Sequence, residues 1–91
     1  MLHTTESIID KQISVYPNPS SDYLFIQLPN NEKLESLELY NVEGRRKDHK
    51  SIRTDFNSYK IDVSHLTQGL YFLKMQLKKN KTVTRTIIIN R

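Results

Sequence analysis

The sequence predicts an all-β fold, an antiparallel sandwich of about seven strands. Apolar and polar residues alternate in short runs, and no segment repeats apolar residues at helical spacing with a cap and a stop. Turn residues separate these runs at hairpin intervals. Apolar residues make up only 36% of the 91 residues, a share that suits two thin layers better than a thick mixed core.

Each element follows from its own residues. Ile13 and Val15 begin an alternation that Pro17-Asn18-Pro19-Ser20-Ser21-Asp22 interrupts, since proline lacks an amide hydrogen and fixes its φ. Leu24, Ile26 and Leu28 form the next run, ended by Pro29-Asn30-Asn31. Leu37 and Leu39 follow, then a turn at Asn41-Val42-Glu43-Gly44. Arg45 to Arg53 is a single polar strand with a weak pattern. Tyr59, Ile61 and Val63 alternate, and Leu66-Thr67-Gln68-Gly69 makes a corner. Tyr71, Leu73, Met75 and Leu77 form the longest run, with Lys74, Gln76 and Lys78 on its other face. Lys79-Asn80-Lys81 turns the chain into a last strand, where Val83, Arg85, Ile87 and Ile89 share one parity. The expected core is Leu24, Ile26, Leu37, Leu39, Ile61, Val63, Tyr71, Leu73 and Met75. Tyr71, opening a late strand after a corner, is placed to hydrogen-bond back to that corner, as in immunoglobulin-like sandwiches. Gly69 supplies the backbone freedom there. Residues 1–11 carry no pattern and are expected to be a linker or tail, leaving 12–91 as one domain.

Composition narrows function. There is no cysteine, so disulfides, thiolate metal sites and a cysteine nucleophile are excluded. The two glycines, Gly44 and Gly69, do not make a phosphate loop. His3, His49 and His65 lack metal-ligand spacing. Ser64 and His65 are neighbours in extended chain and point to opposite faces, so they do not pair as nucleophile and base. Glu35, Glu38 and Glu43 read as solvent-facing, and Asp62 as a turn acceptor of backbone amides. No catalytic residue, cofactor or metal site is expected.

The net charge is +4, gathered at Arg45-Arg46-Lys47, His49, Lys50 and Arg53, and again at Lys74, Lys78, Lys79, Lys81 and Arg85. Such clusters serve nucleic acid, anionic lipid, an acidic partner or a solvated face that guards a sheet edge. No basic-aromatic string of an RNA-binding sheet is present, so nucleic acid is not expected as a partner. No apolar run reaches membrane-spanning length. Met1 to Ser7 lacks the basic head and apolar stretch of a signal peptide, so an inner-membrane export signal is expected elsewhere in a larger parent.

Four strings resemble the signatures of type A C-terminal sorting domains of type IX secretion systems. They are Ile13 to Asp22 with its Tyr16-Pro17-Asn18-Pro19; Leu39-Tyr40-Asn41-Val42-Glu43-Gly44-Arg45; Ile61 to Phe72, with Asp62, Ser64, Leu66, Gly69 and Tyr71; and a basic, aliphatic last strand, Lys81 to Arg91. They occur in the family's order over residues 13 to 91. Arg46-Lys47 departs from it, because the family continues there with aliphatic residues.

The resemblance implies a non-catalytic tag on a larger cargo. Its partners would be the type IX machinery and the sortase-like surface enzyme. Its route would run through the periplasm to the surface or medium of a Gram-negative cell. Lys81, Arg85, Ile87, Ile89 and Arg91 are the expected recognition residues. Pro17, Asn18, Pro19, Gly44, Arg45, Asp62, Leu66, Gly69 and Tyr71 are expected to shape the scaffold. Lys81 and Arg85 are expected on the surface, replaceable by glutamine with little loss of stability. A carbohydrate- or protein-binding adhesion module is the alternative, and it would need an exposed aromatic platform.

Overall fold

Alternation, turns and edge residues combine into eight strands in two sheets. The computed structural model describes residues 12–55 and 57–91, so the expected tail at 1–11 lies outside the described residues. The strands are β1 (Ser14–Tyr16), β2 (Tyr23–Gln27), β3 (Leu34–Asn41), β4 (Arg46–Lys47), β5 (Lys50–Asp55), β6 (Ser58–Asp62), β7 (Gly69–Leu77) and β8 (Lys81–Ile89). One sheet has the order β1-β2-β6-β5 and the other β4-β3-β7-β8. All pairings between these strands are antiparallel.

The sandwich is confirmed, with eight strands rather than about seven. The expected single polar strand from Arg45 to Arg53 is two pieces, β4 and β5, in different sheets. Its run of polar residues has no period that could have marked the crossing.

Inward side chains of both sheets share one core of Ile13, Leu24, Ile26, Leu28, Leu39, Ile61, Val63, Leu66, Tyr71, Leu73, Met75, Leu77, Val83, Ile87 and Ile89. Burial along β8 alternates as the sequence predicts, with Val83, Ile87 and Ile89 inside and Thr82, Thr84, Thr86 and Ile88 outside. Leu37 is the one expected core residue that is only half-buried. β4 pairs with Leu39 and Tyr40 and stops, so among the described residues no strand shelters the edge of β3 beside Leu37.

Candidate recognition site

The first signature straps itself along the last strand. The Asn18 side chain does what a neighbouring strand would do. Its Nδ2 donates to the Thr86 carbonyl at 3.1 Å, and its Oδ1 accepts from the Ile88 amide at 3.0 Å. Ser20 continues the pairing: its amide donates to the Ile88 carbonyl and its carbonyl accepts from the Asn90 amide, both at 2.9 Å. Pro17 and Pro19 flank Asn18, and both of their peptide bonds are cis. The outer edge of β8 is therefore covered from the Thr86 carbonyl onward. Even-numbered residues of β8 turn their backbone groups away from β7. Among the described residues, nothing bonds those of Thr84.

The second signature is a turn built on one side chain. Asn41 Oδ1 accepts the amides of Glu43 at 2.9 Å and Arg45 at 3.0 Å. The Gly44 amide returns to the Asn41 carbonyl at 3.0 Å, with Gly44 at φ 83°, a conformation that glycine adopts without a Cβ penalty. Arg45 is exposed, 3.8 Å from Glu43.

The third signature is an Asx-type turn followed by a tyrosine corner. Asp62 Oδ1 accepts the Ser64 hydroxyl at 2.6 Å and the Ser64 amide at 2.9 Å. These two bonds, the hydroxyl's first, hold the Asp62 carboxyl below its ordinary range. Leu66 is buried, and its amide bonds the Val63 carbonyl. The Tyr71 hydroxyl donates to the Thr67 carbonyl at 2.7 Å, which makes the corner, and the chain enters β7 through Gly69 at φ 155°.

The three expected recognition cations, Lys81 and Arg85 in β8 and Arg91 just beyond it, each have an intramolecular role. Arg91 donates from Nε to the Leu66 carbonyl at 2.9 Å and from Nη2 to the Val63 carbonyl at 2.7 Å, and its Nη1 lies 3.3 Å from Asp22 Oδ1. It thus ties the first, third and fourth signatures together. Lys81 Nζ meets Glu32 Oε2 at 2.9 Å; the Glu32 side chain is 5% exposed and that of Lys81 24%. Arg85 sits at an inward position and donates to the Ile13 carbonyl at 2.7 Å. Lys81 and Arg85, expected on the surface, are only partly exposed, and each reaches a group distant in sequence. Ile87 and Ile89 are fully buried, so their side chains serve the core while the domain is folded.

Sequence reading missed the apolar patch that Leu70 and Ile88 form at this end. Leu70 and Ile88 face each other across β7 and β8, exposed by 39% and 45%. Exposed Val42 joins Leu70 around a cavity of about 250 Å³ that also reaches Thr67, Gln68 and Tyr71. Parity along β8 sets Ile88 apart from the two inward isoleucines beside it, but its place opposite Leu70 depends on the register of β7 and β8.

Catalytic geometry does not assemble around Ser64 and His65. The Ser64 hydroxyl is committed to Asp62, and His65 Nε2 contacts the Asp48 carbonyl. These groups line an open cavity of about 470 Å³ with His49 and Lys50. Among the described residues, no three His, Cys, Asp or Glu side chains gather to hold a metal, and no helix is long and apolar enough to cross a membrane. The outer face of the β1-β2-β6-β5 sheet does show aromatic rings. Tyr16 stacks on Phe25 at 5.7 Å, and Lys60 lies 4.1 Å over the Tyr23 ring. Each ring thus already has a partner within the chain.

What this geometry defines is a small two-sheet β module whose signature residues build turns, straps and a corner at one end. Comparison with known proteins gives it a family: the model described as "Secretion system C-terminal sorting domain" matches residues 14–90, and the chain belongs to that family. It is a sorting signal for type IX secretion, a non-catalytic kind of domain carried by a larger cargo and recognised by the type IX machinery. Secretion from a Gram-negative cell follows. Two similar proteins come from Zobellia galactanivorans. Beta-agarase D is 32% identical over 80 residues, covering 88% of this chain and 15% of the agarase. Beta-agarase A is 26% identical over 82 residues, covering 90% of this chain and 15% of the agarase. The chain thus spans about a seventh of these relatives. The adhesion alternative is not favoured.

Proposed function

We propose that the type IX machinery reads the outward side of β8 at the end where the four signatures meet. One observation carries this: β8 is both a core strand and a sheet edge, so its outer face can be read only when the whole domain is folded. Ile88 with its cross-strand partner Leu70, and neighbouring Val42, provide the apolar contact. Buried Ile87 and Ile89 hold the strand in register, and Arg91, Lys81 and Arg85 hold it in place. Backbone pairing at the uncovered part of β8, around Thr84, adds directional contact. The finer route is proposed with it: recognition in the periplasm, passage across the outer membrane, then removal of the tag by the sortase-like enzyme at the surface. The catalytic part of the parent, if it has one, belongs to the cargo.

The test is a periplasmic reporter fused ahead of the 91-residue chain, in a cell with the type IX machinery. The reporter is expected at the surface or in the medium. Ile88→Glu with Leu70→Glu is expected to hold it in the periplasm while the domain's melt stays within a few degrees. A wild-type fusion that stays periplasmic, beside a known sorting domain that exports the same reporter, would overturn the targeting reading.

A further inference from the structure

The flank opposite β8 carries a second surface with a definite chemistry. Residues 45–55 hold five Lys or Arg and two Asp, a net +3 of the chain's +4. The fold places this segment at one edge of each sheet, as β4 and β5. All six residues of β5 are exposed, Ile52 among them by 62%. β5 therefore buries nothing of its own and is held by its ladder to β6.

The flank is also unfinished. β4 has two residues beside the eight of β3, so sheet cover ends early there. Leu37 and Tyr59 are left only partly buried, and a cavity of about 290 Å³ opens along Ser36, Leu37, Lys47 and His49. Lys47 shares the inward parity of Leu39, its partner across the strands.

Backbone parity shows which groups of β5 point outward. The Val63 amide and the Asn57 carbonyl bond toward β2, so odd-numbered residues of β6 face β2 and even-numbered ones face β5. Lys50 and Ile52, opposite Asp62 and Lys60, therefore spend their backbone groups on β6. Ser51 presents its amide and carbonyl outward, and among the described residues nothing bonds them.

We propose that β5 accepts an extended, acidic segment of a component of the export machinery, added as a further strand at its outer edge. The inference rests on the targeting reading. An added strand meets the Ser51 backbone, extends the sheet over the open flank at Leu37 and Tyr59, and brings carboxylates to Lys47 and Lys50. Charge complementarity sets the occupant's sign and steers its approach.

The experiment uses the same full-chain reporter fusion. Ser51→Pro removes the outward amide and leaves the β5–β6 ladder intact, with Ser51→Ala as its control. Lys47→Glu combined with Lys50→Glu reverses the charge. Each folded variant is expected to lower exported reporter at least ten-fold against wild type, while Ser51→Ala exports normally. Normal export by a folded proline variant, or by the folded charge-reversed variant, overturns the proposal and leaves the β8 reading standing; the basic flank is then an edge guard. If the proline variant does not fold, the charge-reversed variant decides. Because the reporter replaces the natural cargo, normal export by the variants also covers the case in which a cargo segment occupies this edge. A wild-type fusion that stays periplasmic removes both readings.

Discussion

Asn18 and Ile88, 70 residues apart, are joined as neighbouring strands are: the Asn18 side chain accepts from the Ile88 amide at 3.0 Å and donates to the Thr86 carbonyl at 3.1 Å. An amide side chain can do both only because it carries a donor and an acceptor two bonds apart. Asn18→Ala is expected to cost about 1–2 kcal/mol, two modest hydrogen bonds. Asn18→Asp is expected to cost at least as much, since a carboxylate would face the Thr86 carbonyl. Thermal or urea melts of the two variants check this.

Arg91 gathers the Val63 and Leu66 carbonyls and Asp22 with one planar guanidinium. Arg91→Ala is expected to cost about 2–3 kcal/mol, because charge-assisted bonds at a half-buried site are lost together. Arg91→Lys is expected to recover less than half of it, since an ammonium lacks the fork geometry. Equal stability of all three proteins in urea would show that Arg91 is a bystander.

Glu32 is buried and Lys81 is its partner. Lys81→Gln is expected to cost about 1–3 kcal/mol by leaving a buried carboxylate without its counter-charge. Replacing both, Glu32→Gln with Lys81→Gln, is expected to cost less than Lys81→Gln alone. A double-mutant cycle on melts reads the coupling directly.

Leu73 is fully buried, and Leu73→Ala is expected to cost about 2–4 kcal/mol through lost contact and a residual cavity. Tyr71→Phe keeps the ring and removes the bond to the Thr67 carbonyl, for about 1 kcal/mol. A Tyr71→Phe cost near zero would mean that the corner holds without its hydroxyl.

Asp62 titrates below its ordinary value in the folded chain because Ser64 bonds its ionised form. A depressed carboxyl adds stability above its unfolded pKa and loses it as pH falls through the folded one. Stability is therefore expected to drop on acidification below the usual carboxylate range, and Asp62→Asn to flatten that part of the profile. Melts from neutral pH down to about pH 2, in both proteins, make the comparison.

How far the sequence spoke depended on whether neighbours or distant residues decided the matter. Strands such as β7 were legible because Tyr71, Leu73, Met75 and Leu77 alternate with polar residues, and period-2 burial is local. The corner at Gly69 and Tyr71 was legible for the same reason. The break between β4 and β5 was not, because Arg46 to Lys50 offers no apolar residue to mark a face. Leu37 looked like core from its parity, but its cover depends on where another strand stops. Lys81, Arg85 and Arg91 read as surface cations since Glu32, Ile13 and Val63 lie far away in the chain. The four signatures were visible as strings, and their meeting at one end was not.

β8 comes last among the strands, yet it supplies Val83, Ile87 and Ile89 to the core and lends its edge to Asn18 and Ser20. Ribosomes build from the other end. A nascent chain interrupted before β8 leaves the edge of β7 unpaired, the core short of three side chains and the Asn18 strap with nothing to grip. Such a fragment displays no folded tag, however well its upstream cargo has formed. The arrangement therefore makes the tag conditional on synthesis through β8: the domain presents its folded surface only after that strand has been made.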